Sequence, residues 1–351
     1  MSKYSRSINP PSFDVGAFVD RFESDIAAYT RSPQAVATVN GTAALHIALK
    51  LAGVKPGHLV ITQPLTFVAT CNAITYCGAE PVFVDVDRHT LGLSPTALEH
   101  WLDQHALLDE SGRCVTRADK RVISACVPMH TFGHPVDLDG LMAVCGRWHL
   151  TMVEDAAESL GSRYKGRHTG TFGALGTLSF NGNKIITTGG GGMILTDKTL
   201  GRRARHLTTT AKKPHAFEYV HDEVGYNYRL PNLNAALGCA QLERLDDFIA
   251  AKRALADRYA AYFQGSPLQF ITEPAGCRSN YWLNAVICED RPMRDVLLKA
   301  TNDQGVMTRP VWTLMNQLPM YAHCRRGELG NATWLEARVV NLPSGLQGAR
   351  A

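Results

Sequence analysis

The sequence predicts an α/β fold built on a mostly parallel, doubly wound sheet, and three observations carry that expectation. Short apolar runs suited to buried strands alternate with helix-like segments from Gln34 to Glu154. The apolar run Leu150 to Val153 ends in two carboxylates, Glu154 and Asp155, at the place where open α/β sheets bind their ligands. With 351 residues, 45% of them hydrophobic and 19% charged, the chain is long enough for one large α/β domain and a smaller one.

Taken in order, Phe18, Val19, Phe22, Ile26 and Ala27 recur at helical spacing between Gly16 and Thr30. Gln34 to Val39 reads as a strand, and Asn40-Gly41-Thr42 turns it into a helix carrying Ala43, Ala44, Leu45, Ile47 and Leu51. A helix start made of small residues offers free backbone donors and a positive dipole end, so Thr42 and Ala43 are candidate phosphate contacts. By itself, N-G-T is more often a plain helix cap. Leu59 to Gln63 is a second strand and leads into Pro64 to Thr70, where Phe67 opens a helix. An aromatic at that position can stack on a planar ring, although as a bare pattern it is more often core.

Two further strands, Pro81 to Val86 and Val122 to Met129, flank a helix over Pro95 to Leu108, and His130 follows the second of them. Arg202 to Leu207 reads as helix and Thr208 to Glu218 as a mobile polar loop. Asn232 to Phe263 reads as one long amphipathic helix, with Leu233, Ala236, Leu237, Ala240, Leu242, Leu245, Phe248 and Ile249 apolar. The strand-like Trp282 to Cys288, the helix-like Met293 to Thr301 and Gly305 to Val311 then form a small α/β domain. The division drawn is a large domain over 1–230 and a linking helix with the small domain over 231–351.

Chemistry concentrates between Leu150 and Asp197. Here Ser179-Phe180-Asn181-Gly182-Asn183-Lys184 and the run Gly189 to Gly192 set one lysine among small residues between two strands. A lysine amine can join covalently to the aldehyde of pyridoxal 5'-phosphate, and a carboxylate facing the pyridine nitrogen keeps it protonated. Lys184 and Asp155 fit those two catalytic roles, and Ser179 can give its hydroxyl to the cofactor phosphate. A Walker phosphate loop does not fit, because Lys184 follows Asn183 and precedes Ile185. No G-x-G-x-x-G follows the first strand, which counts against a nicotinamide dehydrogenase.

The run VEDAAESLGSRYKGRHTGTFGALGTLSFNGNKIITTGGGGMILTD resembles the core signature of the DegT/StrS sugar aminotransferases, and the likeness extends from about Gly16 to Ser344. Within the family, SFNGNKIITTGGGG is most similar to the bacillosamine and legionaminic acid pathway branch. The resemblance implies the aspartate-aminotransferase-like fold (fold type I), a three-layer α/β/α arrangement with a smaller C-terminal α/β domain. It implies pyridoxal phosphate as cofactor, L-glutamate as amino donor and a nucleotide-linked keto sugar as acceptor, a UDP-4-keto-6-deoxy-N-acetylhexosamine. Thr42, Ala43, Phe67, Asp155, Ser179 and Lys184 fall at its cofactor positions.

Glu158 stands where many members carry Gln or His against the cofactor's phenolic oxygen, so a glutamate there needs a proton to donate that bond. In Gly225-Tyr226-Asn227-Tyr228-Arg229-Leu230-Pro231, the resemblance implies that Asn227 reaches the cofactor phosphate of a neighbouring subunit, and hence a homodimer with shared sites. Tyr228 and Arg229 become candidate contacts to the sugar's diphosphate. Arg309-Pro310-Val311-Trp312 and Asn341-Leu342-Pro343-Ser344 resemble segments that close over the substrate side. Relatives are expected to carry an extra segment before the Gly16 helix and a last helix after the Pro-Ser element. Two rival readings exist: a sugar dehydratase of the same fold, which lacks the lysine and is therefore disfavoured by Lys184, and a non-catalytic or regulatory cofactor-binding relative, to which Glu158 lends some weight.

Composition excludes other classes. Lys and Arg number 36 against 32 Asp and Glu, a net charge of +4, without the long basic stripe of a nucleic-acid module. The nine cysteines are scattered and never form C-x-x-C, so neither a disulfide framework nor a metal site is expected. Without a run of 18 apolar residues or an apolar leader, no membrane association and a cytoplasmic location are expected.

Overall fold

A computed structural model describes residues 16–215 and 217–345, and its central feature is a seven-stranded sheet. In chain order the strands are β1 (Gln34–Thr38), β2 (Leu59–Thr62), β3 (Glu80–Phe83), β4 (Ile123–Val127), β5 (Thr151–Asp155), β6 (Leu175–Ser179) and β7 (Gly192–Thr196). They lie side by side as β1-β7-β6-β5-β4-β2-β3, and β7 runs against both of its neighbours while the remaining pairs are parallel. The six co-directed strands therefore end on one edge.

Continuous apolar runs are what two covered faces require. In β2, Leu59 and Ile61 join the cluster of Leu98, Trp101, Leu102 and Leu141 from α4 (Pro95–His105) and α5 (Leu138–Arg147). Val60 between them faces the opposite layer, with Leu45, Leu49 and Ile74 of α2 (Gly41–Leu51) and α3 (Val68–Tyr76). A third cluster packs Phe22 and Ile26 of α1 (Ala17–Thr30) on Leu178, Phe180 and Met193, and takes in Ala235 and Cys239 of α7 (Asn232–Leu242). Between them, α6 (Lys198–Thr208) starts under an Asp197 cap.

Several boundaries differ from the sequence reading. The predicted helix over Asn232 to Phe263 is two helices, α7 and α8 (Leu245–Phe263), because Arg244 leaves helical geometry at φ −108°, ψ 2°. The apolar positions do not keep one phase across it. Leu233 and Leu237 are exposed on α7, whereas Leu245 and Ile249 are buried only after the break. The helix predicted to Leu108 stops at His105, where Ala106–Leu108 pairs with Cys114–Thr116 as a small ribbon. Part of the predicted loop after Thr208 is likewise paired, Lys212 bridging to His221.

A second sheet of four antiparallel strands follows, β8 (Gln269–Phe270), β9 (Asn284–Ile287), β10 (Arg309–Pro310) and β11 (Val339–Leu342), ordered β8-β9-β11-β10. One face, with Val286 and Val340, packs on α8 and α9 (Arg291–Asp303). Near the other, Trp282, Val311 and Val339 share a cluster with Leu65, Val86 and Phe132 from the large sheet's loops. That shared core brings Trp282 and Trp312 over the edge where the parallel strands end. No described helix is long and apolar enough to cross a membrane, and the nine cysteines are free thiols, all but Cys277 buried.

Glu154 ties this edge together. Fully buried, it accepts from the backbone N–H groups of Gly170 (2.7 Å), Phe172 (2.6 Å) and Gly173 (2.8 Å), and its Oε2 lies 3.1 Å from His130 Nε2. Burial alone would raise its pKa, but the His130 contact and the backbone donors hold it below the usual carboxylate range. Glu154→Ala, which strands these donors, is expected to cost about 3–5 kcal/mol. Urea denaturation of the purified variant checks this, and an unchanged midpoint would show that water replaces the carboxylate freely.

Candidate active site

Five strand ends contribute to one cavity of about 290 Å³, whose lining includes Gly41, Thr42, Phe67, Asp155, Glu158, Ser179 and Lys184. Asp155 is the last residue of β5 and is 2% exposed. Its Oδ2 accepts from the Thr70 hydroxyl at 2.7 Å and its Oδ1 from the Ala157 N–H at 3.2 Å. Burial pushes the Asp155 carboxyl above the ordinary aspartate value, against those hydrogen bonds. A cationic N–H facing it from the cavity would offset that penalty.

Lys184 lies in the turn after β6, its N–H donating to the Asn181 carbonyl at 3.0 Å. Its Nζ is 3.3 Å from Glu158 Oε1 and 4.0 Å from the centre of the Trp282 ring. Trp282 is itself pinned, its indole N–H donating to the Asn183 carbonyl at 2.7 Å. The lysine is thus held between a carboxylate and an aromatic face, a cation–π contact worth on the order of 1–2 kcal/mol when desolvated. Glu158 also accepts from the Phe132 N–H at 2.9 Å, and Phe132 adopts the left-handed region (φ 58°) in the turn that presents this donor.

The opposite wall is the start of α2. Asn40 caps that helix, its Oδ1 accepting from the Ala43 N–H at 2.8 Å. Ala43 is therefore buried and spoken for, whereas Gly41 and Thr42 line the cavity with N–H groups that have no partner within the helix. Two glycines allow the approach. A Cβ on Gly41 would sit 2.9 Å from Ser179 Cβ, and one on Gly192 would sit 2.5 Å from the Asn40 carbonyl oxygen. Helix start and serine hydroxyl together make an anion site.

Phe67 is half exposed at the mouth, 6.4 Å between ring centres from Trp312, whose ring is in turn tilted against Phe132 at 5.3 Å. Asn227, Tyr228 and Arg229 do not reach this cavity within the chain. Asn227 bridges Thr209, and Tyr228 stacks on Tyr226 beside His46. Arg229 lines a separate basic cleft with Lys212, Lys213 and His221. His130 faces Glu154, on the structural side of β5. Thr70 and Trp282 escaped the sequence reading. Thr70 carried a weak signal, one turn after Phe67, while Trp282 carried none, since it meets Lys184 from the loop leading into β9, about a hundred residues further along the chain.

The model of the DegT/DnrJ/EryC1/StrS aminotransferase family matches residues 3–348. The chain belongs to that family. Relatives include the GDP-perosamine synthase of Escherichia coli O157:H7, 38% identical over 94% of this chain and 85% of that protein. The GDP-perosamine synthase of Vibrio cholerae is 35% identical over 94% and 86%. The crystal structure of a DegT DnrJ EryC1 StrS aminotransferase from Brucella abortus superposes with a TM-score of 0.86 at 27% identity, covering 96% of this chain and 87% of that one. The α/β fold is accordingly the fold type I of these enzymes, and this family member is a pyridoxal-phosphate-dependent sugar aminotransferase.

The cavity suits that cofactor. A buried carboxylate, an amine and a helix start with a serine stand around one space, the set that a pyridinium, an aldehyde and a phosphate call for. Gly41→Ala forces Ser179 and the helix start apart, so it is expected to weaken pyridoxal phosphate binding at least tenfold, about 1.4 kcal/mol. Titration of cofactor-free protein followed by absorbance checks this, with pyridoxal, which lacks the phosphate, as the ligand that the substitution leaves alone.

Proposed function

We propose that the chain moves an amino group from an amino acid, L-glutamate, to the keto group of a nucleotide-linked 4-keto-6-deoxy sugar. The observation that carries this is the single cavity in which Lys184, Asp155, Ser179 and the start of α2 meet. Bound there, pyridoxal phosphate supplies the electron sink that makes a proton on the amino-bearing carbon removable. Asp155 keeps the ring nitrogen protonated, Ser179 and Thr42 hold the phosphate, and Phe67 covers the ring. Lys184 moves the proton as general base and acid, and Trp282 and Glu158 fix where its amine stands.

The acceptor's nucleotide has two supports that point apart. The SFNGNKIITTGGGG run favours a UDP-linked N-acetylhexosamine, as in the bacillosamine and legionaminic acid branch. Relatives named GDP-perosamine synthases, 35–38% identical, favour a GDP-linked sugar. The resemblance over 225–231 extends the reading to a homodimer, in which Asn227, Tyr228 and Arg229 serve the partner's cavity. Their distance from the cavity of their own chain and the exposure of Leu233 and Leu237 support it. In the same reading 1–230 hold the cofactor, 231–351 bring Trp282 and Trp312 over it, and the enzyme works in the cytoplasm.

Glutamate is expected to convert the visible band of the loaded enzyme to that of the aminated cofactor, and keto-sugar is expected to reverse it. Parallel incubations with UDP- and GDP-linked 4-keto-6-deoxy sugars decide the nucleotide by mass spectrometry of the product. Lys184→Ala is expected to abolish turnover, at least 10³-fold, with an unchanged circular dichroism spectrum. Asp155→Asn is expected to lower turnover by at least 10²-fold. Wild-type rates in either variant would overturn the role assigned to that residue.

A further inference from the structure

Glu158 and Lys184 are an ion pair almost withdrawn from water. Their side chains are 1% and 11% exposed, with Nζ 3.3 Å from Oε1. The charged groups facing Glu158 are few. Lys184 comes from the turn after β6 and Asp155 from the end of β5, the Thr131–Gly133 turn contributes only the Phe132 N–H, and Trp282, just before β9, meets the lysine rather than the carboxylate. His130 is engaged by Glu154 instead. Nor is the position of Glu158 adjustable, because Asn280 Nδ2 donates to the carbonyls of both Glu158 and Leu160 at 2.9 Å.

A lysine that joins an aldehyde must first be uncharged, since only the free amine has the electron pair to attack. Its proton needs an acceptor, and among the described residues the nearest base is Glu158. We propose that Glu158 takes the proton Lys184 gives up when its amine goes to the cofactor, and then holds it as a carboxylic acid. One N–H bond breaks on the ammonium and one O–H bond forms on the carboxylate; joining the aldehyde then forms a C=N bond while the aldehyde oxygen leaves as water with the amine's two remaining hydrogens, so no proton passes to solvent. Two buried charges vanish together, which removes the desolvation cost that each ion bears away from water.

The environment favours the neutral acid once the lysine is no longer a cation. Burial, with the neighbouring Asp155 carboxylate adding to it, raises Glu158 to about 7 even while Lys184 and the Phe132 N–H pull it down. The protonated oxygen is then a donor aimed into the cavity, able to bond the phenolic oxygen of the cofactor. An amide at this position can donate to that oxygen but cannot take up a proton, whereas a glutamate both accepts the lysine's proton and afterwards donates. This assignment rests on Lys184 being the cofactor-bearing amine.

Infrared difference spectroscopy of the cofactor-free protein on addition of pyridoxal phosphate at pH 8, with visible absorbance recorded on the same sample, tests it. Loading is expected to bring up the C=O stretch of a protonated carboxyl in wild type and in Asp155→Asn, and Glu158→Gln is expected to lose that band while still binding cofactor. Gln keeps an oxygen for the Phe132 N–H, and the wild-type spectrum stands without any variant. Loading with no such band in wild type, or with the band retained in Glu158→Gln, overturns the role of Glu158 alone. Absence of loading in wild type overturns the cofactor site, and the proposal with it.

Discussion

Three charged groups that water barely reaches, Asp155, Glu158 and Lys184, share one wall of a cavity, and satisfying them organises the edge of the sheet. Each isolated charge in such a place would cost several kcal/mol. Each is answered locally: Asp155 by Thr70 and the Ala157 N–H, Glu158 by the Phe132 N–H, Lys184 by Glu158 and the face of Trp282. What remains unanswered points into the cavity. The excess of one carboxylate over the ammonium leaves room for a single cationic N–H, which is the demand a pyridinium meets.

The topology makes this arrangement repeatable without a long-range device. Six strands end on the same edge, and five of those ends deliver parts: the α2 start after β1, Phe67 after β2, the Phe132 donor after β4, Asp155 and Glu158 at the end of β5, Ser179 and Lys184 at the end of β6. Antiparallel β7 closes between β1 and β6, aligning Thr38, Gly192 and Ser179 in one row. A glycine in the middle of that row lets the α2 start and the serine sit side by side. The second sheet then adds aromatic cover through a core it shares with the loops of the first.

Glu154 and Asp155 are adjacent in sequence and opposite in use. Side chains alternate along a strand, so one carboxylate turns to the layer of backbone donors around Gly170 to Gly173 and the other to the cavity. The first is held ionised by four contacts and the second is raised by burial. The same alternation separates His130, bound to Glu154, from the site it neighbours in sequence.

By itself, the sequence determined the elements and the acid–amine pair. Strand and helix periodicity are local, and the signature around Asp155, Ser179 and Lys184 lies within one stretch of chain, so the parallel sheet, the cofactor and the family could all be read there. Tertiary structure alone decided what meets across distance. It set Trp282 against Lys184 and gave Thr70 to Asp155. It left Ala43 occupied by its own cap and kept Asn227, Tyr228 and Arg229 away from the cavity of their own chain. It also broke the helix predicted over Asn232 to Phe263 at Arg244, because Ala235 and Cys239 before the break and Leu245 and Ile249 after it reach one core cluster from two separate helices. Those outcomes depend on packing between segments far apart in the chain, which no local spacing encodes.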